Sequence, residues 1–168
     1  MATPADLLVE GLDRVRGDVH RVLDGLDPAH LTARPAPGAN PVGWLVWHLT
    51  RVQDDHLAEA AGTPQVWTHQ DWAARFGLDL PDGATGYAAT DAQVDAVNAP
   101  AELLLGYHDA VHAQSTSWVR GLTGSDLDRV VDDAYDPPVT LATRLVSVLD
   151  DDLQHAGQAA YVRGLLEG

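Results

Sequence analysis

The chain has 168 residues, 45% apolar and 21% charged, a balance that fits one folded domain over residues 1–168 rather than a disordered segment. Ten arginines stand against 25 acidic residues, and the net charge of −15 repels phosphate backbones and anionic bilayers, so neither nucleic acid nor membrane is an expected partner. With no Cys and no Lys, disulfides, thiolate metal sites, Fe–S clusters and covalent catalysis by a thiolate or a Schiff base are excluded. The N-terminus has no basic and then apolar leader, and no apolar run approaches the ~18 residues of a membrane span, so the cytoplasm is the expected location. The absence of Ile and Lys, beside abundant Gly, Ala, Arg, Pro, Asp and Val, suggests a GC-rich bacterial source.

The first helix is expected from Thr3, a good N-cap, with Pro4 at the first helical position. Leu8, Leu12, Val15, Val19, Val22 and Leu26 then recur at helical spacing. Residues 27–40 read as a loop broken by Pro28, Pro35, Pro37 and Gly38. A second helix is expected from the Asn40-Pro41 cap to about Ala61, stopped by Gly62. On its wheel Leu45, His48, Val52, Asp55 and Glu59 share one face. Residues 63–99 form a long connector, poorly periodic, with turns at Pro64, Pro81 and Gly86 and with Trp67, Trp72, Phe76 and Tyr87.

A third helix is expected from Pro100, with Leu104, Tyr107, Val111, Trp118 and Leu122 on its apolar face and glycines 121 and 124 near its end. A fourth runs from the Thr140 cap to Gly164 or beyond. Its inner face reads Leu141, Leu145, Val148, Asp152, His155, Ala159, Val162 and Leu166. No strand is expected. The class is all-α, a four-helix bundle whose long connector lets the second and third helices run parallel.

Polar groups on apolar stripes are the candidates for chemistry, because a buried imidazole or carboxylate needs a partner. His48 faces inward from the second helix. Asp151 and His155 stand at i and i+4 on the last helix, a spacing that lets both reach one ion. His48, Asp151 and His155 together would leave coordination positions open, as catalytic ions require. Asp152 lies nearer the centre of the apolar face, so it competes with Asp151 as ligand or supports the site from behind. Asp55 lies ~10 Å along the helix from His48, too far to share its ion, and is a candidate to orient a ligand or take a proton. His108 and His112 also stand at i and i+4, but off the apolar face, which places them on a flank or at an interface. His20, His30, His56 and His69 form no constellation. There is no G-x-S-x-G, no phosphate-binding loop and no dinucleotide fingerprint.

Two segments carry a family resemblance. The run from Asn40 through Pro-Val-Gly-Trp-Leu-Val-Trp to His48 resembles the second-helix motif of the DinB-like superfamily. Asp151-Asp-Leu-Gln-His155-Ala-Gly-Gln158 resembles its C-terminal motif. The connector from Trp67 to Gly77 and the stretch from Asp136 to Thr140 look like an actinobacterial branch of mycothiol-dependent isomerase-like and thiol-transferase proteins.

The resemblance implies an up-down-down-up bundle and a divalent ion on His48, Asp151 and His155. Many members have His where this chain has Asp151, which leaves the ion open among Zn, Ni, Fe and Mn, with Zn preferred. It further implies transfer of a low-molecular-weight thiol such as mycothiol to an electrophile, or else a non-catalytic metal-binding or stress-related protein of the same fold. Asp55 or Asp152 would then take the thiol proton. The connector aromatics, Trp67 foremost, would cover the cofactor and substrate, and Arg163 would reach an anionic group or form a surface salt bridge. A homodimer is expected from the resemblance and from the surplus aromatics Trp67 and Trp72, with intrachain cover of the bundle as the alternative role for those two.

Overall fold

The computed structural model describes residues 1–168. Helix α1 (Pro4–Leu23) starts at a reciprocal cap: the Thr3 hydroxyl accepts from the Asp6 backbone N–H, and the Asp6 carboxylate accepts from that of Thr3. Helix α3 (Val42–Ala61) begins one residue later than the sequence suggests. Pro41 itself holds the extended cap position, and Gly62 closes the helix at φ 68°. Helix α7 spans Ala101–Val119, and α8 spans Leu141–Glu167, its first turn capped by the Thr140 hydroxyl. These four long helices pack in a ring: α1 and α3 each lie against both α7 and α8.

Between them lie the short helices α2 (Pro28–Thr32), α4 (Val66–His69), α5 (Trp72–Phe76) and α6 (Asp91–Asp95). The 27–40 loop and the 63–99 connector are therefore partly helical. A two-stranded antiparallel ribbon, β1 (Val130–Asp132) with β2 (Val139–Thr140), leads into α8 and corrects the expectation of no strands. Two- and three-residue strands are too short to leave an alternating pattern in the sequence.

The connector packs on α3 and α7. Trp67, Trp72 and Phe76 are buried and cluster around Tyr107, with ring centroids 5.0–5.8 Å from it. Trp72 fits because residue 106 is glycine: a Cβ there would come within 2.9 Å of its ring. These aromatics are intrachain cover, so the dimer expectation loses the support of Trp67 and Trp72. Covered on several sides, α3 buries polar residues beyond its apolar stripe: Thr50, Arg51, Gln53 and Asp54. The Arg51 guanidinium donates to Tyr107 Oη (3.1 Å), Gln65 Oε1 (3.0 Å) and the Ala84 carbonyl (3.0 Å), and lies 3.5 Å from Asp54 Oδ2. Asp54 accepts from the Tyr107 hydroxyl and from the N–H groups of Val66 and Trp67, each at 2.8 Å, which fastens α4 to α3.

His108 corrects the flank assignment, because it is fully buried against α3. The Thr50 hydroxyl donates to the Val46 carbonyl, so it accepts from His108 Nδ1–H at 3.1 Å. Nε2 has no partner. The ring is therefore neutral, and burial pushes its pKa down to about 3. The unfolded chain binds a proton here near pH 6.5 that the folded chain refuses until about pH 3, so stability falls as pH drops through that window. We expect His108→Gln to flatten this acid limb by several kcal/mol, on the order of 4. Urea titrations of both proteins between those pH values check it; parallel limbs would refute it. His112, by contrast, sits on the flank as expected, its Nε2 2.7 Å from Asp13.

Candidate metal centre

Helices α3 and α8 make the most extensive contact in the ring, and their facing surfaces bring His48, Asp151 and His155 together. One donor atom from each lies within 4.8 Å of the others. His155 Nε2 stands 3.6 Å from Asp151 Oδ1 across one helical turn. The His48 and His155 rings meet edge to face at 4.7 Å, and Trp44 stacks on His48 at 4.6 Å and 13°.

The outer nitrogens fix the orientation of both rings. His48 Nδ1 bonds to the Thr85 carbonyl at 2.6 Å, and His155 Nδ1 to Gln158 Oε1 at 3.0 Å. Each acceptor calls for a proton on Nδ1, which leaves Nε2 with a lone pair toward the shared space. Burial lowers the pKa of His48, with the Thr85 carbonyl opposing. The Asp151 carboxylate raises that of His155, with burial opposing. Asp151 Oδ2 is buried without a hydrogen-bond partner. A carboxylate oxygen so placed costs free energy unless something positive meets it. Two imidazole nitrogens and a carboxylate suit Zn, Ni, Fe or Mn, whose bonds of ~2.0–2.2 Å would draw the three donors closer together. The residues therefore fit a divalent ion.

The other sequence candidates lie elsewhere. Asp152 is fully buried, both oxygens lack a partner, and burial raises its pKa far above the carboxylate range. It lies in the core, away from solvent, and is outside the three-residue group. We expect Asp152→Asn to keep metal binding and Asp151→Asn to lose it, read by elemental analysis; the reverse result would exchange the two residues. The Asp55 carboxylate accepts from Gln65 Nε2 at 2.6 Å. Trp67 is core, beside Arg51 and Tyr107. Arg163 donates to the carbonyls of Arg21, Val22 and Asp24, capping the end of α1, and pairs with Glu167. Of the connector aromatics only Tyr87 is exposed.

Two cavities flank the group. One, of about 390 Å³, is lined by Asp151 together with His56, Arg144, Tyr135, Thr143 and Ser147. Arg144 bonds His56 and Asp132 there and lies 3.6 Å from Glu59. The other, of about 350 Å³, lies between Trp44 and Trp47 and the 80–89 segment. The sequence had marked neither His56 nor Arg144, because their meeting across α3 and α8 leaves no local spacing to read.

No curated protein matches this chain. Among solved structures, the crystal structure of a conserved protein from Enterococcus faecalis superposes with a TM-score of 0.91 at 33% identity, covering 98% of either chain. The model of the DinB superfamily matches residues 11–159, a span that holds all three facing side chains. With that match over most of its length, the chain belongs to the DinB superfamily.

Proposed function

We propose that this protein is a metal-dependent S-transferase, joining a low-molecular-weight thiol of the mycothiol type to a small electrophile. The observation that carries the reading is the set of three donors on two helices, His48, Asp151 and His155, with the side chains of Asp151 and His155 32% and 18% exposed. Such a set leaves positions for a small molecule. A bound divalent ion of the zinc type would supply Lewis acidity that holds a thiol as its thiolate near neutral pH. The chain supplies the rest. His48 and His155 are aimed by Thr85 and Gln158, Trp44 shields one ring face, and the cavity at Asp151 gives the electrophile room. The proton leaves to solvent through the open side, since Asp152 is sealed in the core and Asp55 is engaged by Gln65.

The test is turnover. The zinc-loaded protein is incubated with mycothiol and a haloalkyl bimane, and the rate is compared with that of His48→Ala and of buffer. A wild-type rate equal to both, across several thiols, rejects transfer. Binding without turnover is the second reading. It is favoured by Arg144, whose contacts with Asp132, Glu59 and His56 leave the cavity little free positive charge.

We further propose the up-down-down-up arrangement, cytoplasmic location and a homodimer. The ring of α1, α3, α7 and α8 supports the first. No helix is long and apolar enough to cross a membrane. Val146, Leu153, Tyr161 and Leu165 are exposed on the last helix and give a second copy an apolar stripe. Sedimentation showing only monomer at micromolar concentration would reject the dimer.

A further inference from the structure

We propose that the segment Ala84–Gly86, held by the buried Arg51, is a latch that fixes His48 in the tautomer able to bind a metal. The proposal rests on the metal reading of the site and extends it to residues remote from the ion.

A backbone carbonyl only accepts, so the 2.6 Å contact from Thr85 places the imidazole proton on Nδ1 and keeps Nε2 free. That works only if the carbonyl is held still, and residues 84–86 belong to no helix or strand. Arg51 supplies the hold. It stands one turn from His48 on the same helix, and its Nε donates to the neighbouring Ala84 carbonyl at 3.0 Å. Arg51 is itself immobilised, fully buried, with Tyr107 and Gln65 as further acceptors and Asp54 beside it. The side chain that fastens the loop is thus anchored on α3, on α7 and on the turn before α4.

Gly86 is the second part of the latch. Its φ is +92°, where a side chain is strained. A Cβ would also stand 2.6 Å from His48 Nδ1, 3.1 Å from Trp44 Cζ2 and 3.2 Å from Trp47 Cζ3. These neighbours are three buried rings, none of which can swing aside as a flexible side-chain end would. A methyl group at 86 must therefore push the loop off His48 or the ring out of line.

The experiment reads tautomer and affinity separately. Long-range ¹H–¹⁵N spectra of the metal-free protein at about pH 8, where histidines are neutral, report which His48 nitrogen carries the proton. Zinc affinity is measured by chelator competition, and far-UV circular dichroism monitors folding. Wild type is expected to show the Nδ1–H form before zinc is added. Gly86→Ala is expected to lose that preference and bind zinc 10–100-fold more weakly with helicity unchanged. Arg51→Lys, which keeps the charge beside Asp54 but lacks Nε, is expected to do the same to a smaller degree. Wild type that binds zinc, beside a Gly86→Ala variant with equal affinity and the same tautomer, overturns the latch. Wild type in the Nε2–H form overturns it too, even if neither variant folds. Wild type in the Nδ1–H form that binds no zinc rejects the metal reading while leaving the carbonyl contact in place.

Discussion

His155→Ala is expected to remove the ion altogether while the helices stay formed. The ring is partly exposed, packs edge-on against His48, and contributes one of three donors. Its loss leaves a His and a carboxylate, too few to hold a zinc-type ion against water. Elemental analysis after chelator-free purification should fall from about one equivalent to background, with unchanged circular dichroism. Full occupancy in the variant would remove His155 from the site. The wild-type ion should also be sensitive to acid, because each ligand must give up its proton before it binds. Asp151 raises the pKa of His155 and burial lowers that of His48, so protonation of His155 is the first to compete as pH falls. Affinity should therefore begin to drop above the ordinary imidazole value, not below it. His108→Ala should retain the ion, since its ring is spent on Thr50.

The largest loss of stability is expected from Asp54→Ala. Its carboxylate meets Arg51, the Tyr107 hydroxyl and two backbone N–H groups in the core. Burial raises its pKa, and these donors offset that only in part. Taking it away strands a fully buried guanidinium and two N–H groups. Breaking a buried pair from one side costs ~3–5 kcal/mol, which in a chain of this size corresponds to a fall in Tm of about 10 °C. Asp54→Asn keeps an acceptor for one of the two N–H groups, which meet different carboxylate oxygens, and should lose less than the alanine variant. Thermal unfolding of both variants settles the order; an Asp54→Ala Tm within about 2 °C of wild type would show that the network contributes little.

These two expectations differ in how they could be reached. Of the candidate metal residues, His48 and His155 are legible in the sequence because each sits at a helical spacing that turns it inward, where a polar ring needs a partner, and Asp151 is legible through its i, i+4 spacing to His155. The caps at Thr3 and Thr140 and the Gly62 stop are equally local, set by one or two residues, and the four long helices start within a residue or two of where the caps put them, while α1 and α7 end three residues short of Leu26 and Leu122. What lies between the helices was decided by tertiary structure. No spacing connects Asp54 to Tyr107 or Arg51 to Ala84, because those meetings depend on how the 63–99 connector folds back over α3. For the same reason a single wheel put His108 on a flank: it assumes one buried face, whereas α7 is covered by α1, α3 and the connector. Trp67 and Arg163 look available in sequence, and the structure spends one on an aromatic core and the other on the end of α1. Sequence by itself determined the four long helices and the inward turn of His48 and His155, because those follow from local backbone geometry. Only packing determined which inward groups meet, since that is set by contacts between residues far apart in the chain.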